Sequence, residues 1–113
     1  MKVKISSLSK NEDFKYLLGG KKISSKYITI FYRKLAKMNP GSLNISFITK
    51  KKLGNAIIRN KIKRRLRNIM NDAVKKISIN LNYSFLVIAK SSMLNNEYKN
   101  IKETLFQDLE KIK

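Results

Sequence analysis

Residues 50–67, KKKLGNAIIRNKIKRRLR, constrain this chain more than any other stretch: nine of the eighteen positions are basic and none is acidic. Gly54 and Asn55 stand where a strand can end and a helix begin. The Asn55 side-chain oxygen can accept a hydrogen bond from the free N–H groups of a first turn, so a helix is expected to start at Ala56. From there Ile58, Ile62, Leu66, Ile69, Ala73 and Ile77 recur at spacings of three and four, predicting a helix over 56–78 with one continuous apolar stripe. At about 100° per residue, Lys63 and Arg67 flank that stripe on one side and Lys61 and Arg65 on the other, while Asn60 and Arg64 face away from it. Arg59 falls at its edge, where a long side chain can bend out past a core. One side of such a helix must pack against another layer, and the other is suited to a polyanion.

A solvated helix face normally interleaves charges of both signs, gaining support between residues four apart. This one carries no carboxylate until Asp72. The chain has five arginines, and four of them (Arg59, Arg64, Arg65 and Arg67) lie within nine residues. A guanidinium presents a planar fork of donors that grips two phosphate oxygens, a geometry that a lysine ammonium does not copy. The net charge of +19 repels itself unless an anionic partner offsets it. The arginine cluster therefore points to a phosphate-rich partner.

Composition narrows the remaining classes. A length of 113 residues suits one domain with a modest core, and no repeat or linker divides it. Without cysteine there are no disulfides or thiolate metal sites, and no apolar run reaches the length of a membrane span or signal peptide. An intracellular, cytoplasmic protein is the expectation. There is also no histidine, so the usual general base at neutral pH is missing. The seven carboxylates (Glu12, Asp13, Asp72, Glu97, Glu103, Asp108 and Glu110) are dispersed, and no spacing among them builds a two-metal nuclease centre. Any catalysis must draw its reactive groups from elsewhere, and no protein metal site is expected. Nor does a helix-turn-helix surround the basic helix, which argues against DNA binding.

In order along the chain, Ser9 and Glu12 match a capping box opening a helix whose apolar side is Phe14, Leu17 and Leu18, and Gly19-Gly20 reads as a left-handed stop. Residues 23–35 read as strand-rich, with a short extra strand possible near Ile23; Tyr27 to Tyr32 is β-branched and aromatic throughout. Alternation along it places Tyr27 and Phe31 on one face and Tyr32 on the other. Asn39-Pro40-Gly41-Ser42 reads as a turn, and 43–50 as a returning strand antiparallel to the previous one. After the basic helix, Asn80 to Asn82 form a turn, and YSFLVIA over 83–89 reads as a strand covered on both faces. Asn96 is a candidate cap for a last helix over 97–112 that buries Tyr98, Ile101, Leu105, Leu109 and Ile112. The fold expected is α+β, in the order α-β-β-(β)-α-β-α, with one mixed sheet and helices mainly on one face.

The run Lys51-Lys52-Leu53-Gly54-Asn55-Ala56-Ile57-Ile58-Arg59-Asn60-Lys61-Ile62-Lys63-Arg64 closely resembles the signature of the bacterial ribonuclease P protein component. The resemblance extends to LSKNEDF at 8–14, YSFLVIAK at 83–90 and the last helix. It implies the small protein subunit of a ribonucleoprotein endonuclease that removes 5′ leaders from precursor tRNA, monomeric within its complex. In that family the RNA subunit holds the catalytic Mg²⁺ ions and the protein supplies no catalytic side chain. The family's β-α-β crossover is left-handed, against the general rule for such units.

Carried over by the resemblance, Lys51, Lys52, Asn55, Arg59, Asn60, Lys61, Lys63, Arg64, Arg65 and Arg67 are the candidates for contact with the catalytic RNA. Phe14, Leu18, Tyr27, Phe31 and Tyr32 are the candidates for a cleft that holds the single-stranded leader, where aromatic faces stack unpaired bases. Lys61 replaces the family's arginine, keeping the charge and losing the fork, and Ser46 stands where glycine is common. A structural RNA-binding module, such as a ribosomal protein, is the alternative reading of the same basic helix.

Overall fold

The computed structural model describes residues 4–6, 11–34, 42–77, 79–95 and 97–112. Its elements are β1 (Lys4–Ser6), α1 (Asn11–Leu18), β2 (Lys21–Ser24), β3 (Ile28–Arg33), β4 (Ser42–Ile48), α2 (Ala56–Lys76), β5 (Ser84–Ala89) and α3 (Tyr98–Glu110), with 3-10 turns at Lys51–Leu53 and Ser91–Asn95. The expected order is present, including the short strand near Ile23. The sequence reading missed β1, whose three residues are too few to show a period of two; its strand character comes from pairing in parallel with β4.

The strands form one mixed sheet in the order β1-β4-β5-β3-β2. β3 and β4 run in opposite directions, as expected, but β5 lies between them, parallel to β4 and antiparallel to β3. β5 suits the centre because it is apolar on both sides: Phe85, Leu86 and Val87 are all fully buried. Ser46 fits within regular β4, in register with Leu86.

One face of the sheet presents Ile28 and Ile30, Leu43 and Ile45, and Phe85, Val87 and Ala89 to α2 and α3. Ile62, Leu66, Ile69, Met70 and Ala73 answer from α2, and Ile101, Leu105 and Leu109 from α3. The α2 stripe is shifted from the one expected, because Met70 joins it and Ile58 stays 38% exposed. On the opposite face Phe31 and Leu86 stand in register, and α1 packs there against β3 and β5 with Leu17 fully buried. Two helices therefore cover one face and a single short helix covers the other.

Connections show where local chemistry was legible. Asn82 N–H donates to Asn80 Oδ1 at 2.9 Å, closing the turn before β5. Lys90 ties down the β2–β3 turn, its backbone N–H donating to Tyr27 O at 2.8 Å and its Nζ to Ser24 Oγ at 2.8 Å. The end of α1 differs from expectation, for Gly19 N–H donates to Tyr16 O at 3.2 Å and Gly20 N–H to Leu17 O at 2.9 Å in a tightened last turn. Neither glycine has a positive φ. Gly20 is needed for proximity instead, since a Cβ there would lie 2.8 Å from Tyr32 O on β3. Ser9, Asn96 and residues 39–41 lie outside the described residues, and Glu97 occupies the N-cap position of α3 without a side-chain cap bond.

Candidate nucleic-acid interface

The basic helix is set by two adjacent residues. Asn55 Oδ1 accepts from Ile58 N–H at 3.0 Å, the cap expected from the sequence. Gly54 has φ 146°, and a Cβ on it would sit 2.9 Å from Ile58 Cδ1. Both the backbone conformation and the lack of space demand glycine there. Just before it, Lys51 and Lys52 sit in a 3-10 turn anchored by buried Leu53. Both lysines are exposed, close to the positive end of the α2 dipole, so this corner concentrates cationic charge.

Along α2, Asn60, Lys61, Lys63, Arg64 and Arg67 are exposed, and Arg59 and Arg65 half-buried, while Ile62, Leu66, Ile69, Met70 and Ala73 are buried. Packing and charge occupy separate sides. Among the described residues the only ion pair is Lys102–Asp72, at 2.6 Å between α3 and the second half of α2, so no α2 arginine is neutralised by a carboxylate there. Lys102 Nζ donates to Asp72 Oδ2, and this hydrogen bond holds the Asp72 carboxyl below its ordinary value and the Lys102 ammonium above its own. Arg59 carries a further signal: its Nε is buried without a hydrogen-bond partner among the described residues. A buried donor left unpaired is costly.

The candidate cleft residues divide between the two faces. Tyr27 is 4% exposed and belongs to the main core, because it precedes the regular part of β3 and the alternation does not reach it. Tyr32 faces the same core, its ring 5.2 Å from Tyr83 in an edge contact and 6.4 Å from Phe85. Neither lies with Phe31. Phe14 and Phe31 are half-buried and Leu18 is 48% exposed, and Phe31 stands on the sheet face that α1 packs against. On that face the register aligns Thr29, Ile88 and Ile48 across three strands, and all three remain half-buried, whereas the next row contains fully buried Leu86. The open row sits at the end of β4 that feeds Lys50–Lys52 and α2. The sequence reading passed over Thr29, Ile48 and Ile88, since only the pairing of β5 between β3 and β4 brings them into line.

Among the described residues no group of three or more carboxylates lies close enough to hold a metal ion. Among the described residues the donor set does not fit a protein-held magnesium site, for that ion takes several oxygen ligands in strict geometry. No helix in the described residues is long and apolar enough to cross a membrane.

Fold and surface together define a polyanion-binding α+β protein, with a cationic helix linking two parallel central strands. A family model, Ribonuclease P, matches residues 3–113, and the chain belongs to that family. It is similar to the ribonuclease P protein component of Carboxydothermus hydrogenoformans, 31% identical over 104 residues spanning 87% of this chain and 83% of the relative. The protein component of Fusobacterium nucleatum is 32% identical over 111 residues, 95% of this chain and 89% of that one. Its fold is similar to that of the RNase P protein from Thermotoga maritima, with a TM-score of 0.80 at 24% identity, covering 96% of this chain and 98% of the other. Its partner is accordingly an RNA.

Proposed function

We propose that this chain acts as the single-domain protein subunit of a cytoplasmic ribonuclease P, one copy binding the catalytic RNA and the 5′ leader of precursor tRNA while the RNA subunit holds the Mg²⁺ ions and performs the cleavage. The observation that carries this reading is the divided α2, with its apolar stripe in the core and its arginines exposed or half-buried and, among the described residues, without carboxylate partners. The protein's work is electrostatic and positional. Catalytic RNA and substrate are both polyanions, and bringing them together costs Coulomb energy that a surface of this sign offsets.

Lys51, Lys52, Asn55, Arg59, Asn60, Lys61, Lys63, Arg64, Arg65 and Arg67 form the proposed contact with the catalytic RNA. Phe14, Leu18 and Phe31, with the row Thr29, Ile88 and Ile48, form the proposed leader groove, where ring faces and aliphatic surface meet unpaired bases without reading their sequence.

Reconstitution tests the proposal. The purified protein is expected to leave precursor tRNA intact alone and to support leader removal at low Mg²⁺ once mixed with its cognate RNA. If six to nine cations engage phosphates, log affinity falls against log salt with a slope of roughly −4 to −8. A protein that cleaves alone, or a slope near −1, overturns the proposal. A mixture that binds without cleaving would mark a structural RNA brace instead.

A further inference from the structure

A cavity of about 380 Å³ opens at the end of the sheet remote from Gly54 and Asn55, lined by Gly19, Gly20, Lys21, Tyr32, Arg33, Lys34 and Tyr83. Its place follows from the register: Tyr83 directly precedes Ser84, and Ser84 pairs with Arg33 at the end of β3 and with Asn44 near the start of β4. Since α2 follows the other end of β4, roughly 20 Å of strand at about 3.3 Å per residue separates the cavity from the signature corner. Between the cavity and the open row of Thr29, Ile88 and Ile48 lies the row of Phe31 and buried Leu86, and Arg33, paired with Ser84, stands in the row beyond it. The site is thus remote from the signature corner and adjoins the far end of the proposed leader groove, one step along the strand face beyond Phe31 and next in sequence to Leu18.

Its chemistry is specific in three respects. Lys21, Arg33 and Lys34 line it, and none of the described residues lining it is a carboxylate, so it favours an anion. Arg33 is held in place, its guanidinium stacked 3.9 Å from the centre of the Tyr16 ring and donating from one terminal nitrogen to Tyr16 O at 3.1 Å. A guanidinium carries five N–H donors, so this bond orients the fork without exhausting it. Tyr32 and Tyr83 are both half-buried and locked edge to face, which offers ring surface in a fixed position. A preset guanidinium, the ammonium groups of two exposed lysines and fixed aromatic surface suit a ligand that is anionic at one end and aromatic at the other.

We infer that this cavity is a second nucleotide subsite, taking the phosphate and base of one unpaired residue of the bound RNA. The inference rests on the proposed role in an RNA complex and extends it beyond the signature helix and past the groove residues Leu18 and Phe31 to the far end of the sheet. Lys21, Arg33 and Lys34 hold the phosphate, and Tyr32 and Tyr83 meet the base. The backbone of Gly19 and Gly20 forms the wall nearest β3.

Amide NMR of the full chain, titrated at constant ionic strength, tests this. Adenosine 5′-monophosphate should shift Gly19, Gly20, Lys21, Tyr32, Arg33, Lys34 and Tyr83 saturably, inorganic phosphate should do so more weakly, and a single-stranded ribo-pentanucleotide should bind more tightly than the mononucleotide. Lys21→Ala with Lys34→Ala should lower affinity about tenfold. Lys99→Ala with Lys111→Ala, which removes equal charge from exposed positions on and beside α3, should leave it unchanged. Equal loss in both double variants, or shifts spread along α2, overturns the subsite. Phosphate binding as well as the nucleotide overturns the aromatic part, and a pentanucleotide binding no more tightly than the mononucleotide overturns RNA as the source. An active reconstituted complex whose protein shows no such titration sinks this inference alone. Localised nucleotide shifts in a protein that fails to support leader cleavage sink the functional reading alone.

Discussion

At the scale of single residues, the entry to α2 tolerates little change. Gly54 holds a φ of 146° against Ile58. Gly54→Ala is expected to cost on the order of 1–3 kcal/mol in urea denaturation, since the added methyl meets both strain and a clash. Asn55→Ala removes the cap bond and is expected to cost about 1 kcal/mol. The Asp72–Lys102 pair makes a pH prediction with two limbs. Asp72 titrates below its ordinary value, so its contribution is fully present above the ordinary carboxylate range and disappears as pH falls through the lowered value. Lys102 titrates above its ordinary value, so its contribution is complete below the ordinary lysine range and is lost as pH rises through the raised value. The stability gap between the native protein and Asp72→Asn should therefore be flat near neutrality and close on acidification; a gap independent of pH in acid would show that the pair contributes nothing.

At the scale of elements, α2 does two jobs with separate residues, and mutations should separate them. Leu66 is fully buried in the core shared by the sheet, α2 and α3, and Leu66→Ala should destabilise the fold by about 2–5 kcal/mol through a cavity. Arg64→Ala with Arg67→Ala touches only exposed positions and should leave unfolding within about 0.5 kcal/mol per site. The same double change should reduce the salt slope of RNA binding by roughly 0.7 to 0.9 for each phosphate that is no longer neutralised. Unfolding by both classes of variant would mean that the two sides of the helix are not independent. By contrast, α3 mixes signs, carrying Lys99 and Lys102 beside Glu103, Asp108 and Glu110, and buries Asp108 at 3% exposure.

At the scale of the whole molecule, a charge of +19 sits on a Cα radius of gyration of 13.3 Å. Charges so close repel across distances comparable with the Debye length, about 10 Å at 0.1 M salt. The melting temperature of the isolated protein is therefore expected to rise with ionic strength, and sulfate to act beyond its ionic strength where it bridges cations. A flat or falling melting temperature over that range would show that local pairing, rather than an external anion, already balances the charge.

Local chemistry was sufficient to place α2, its Asn55 cap and the turn at Asn80 to Asn82, because each depends on interactions within a few residues, and the apolar periodicity marked Ile101, Leu105, Leu109 and Ile112 as buried while overstating half-buried Tyr98 and passing over buried Asp108. The resemblance carried by residues 51–64 pointed to the family on sequence alone. Tertiary structure decided what depends on pairing between distant segments: β1 as a strand, β5 at the centre, and α1 alone on its face. It also decided the aromatic side chains, for Tyr27, Phe31 and Tyr32 look alike in sequence, and only the place where β3 begins its regular alternation sends Tyr27 and Tyr32 into the core and leaves Phe31 beneath α1. Hydrogen-bonded neighbours and register are properties of the assembled sheet, and no single strand's sequence contains them.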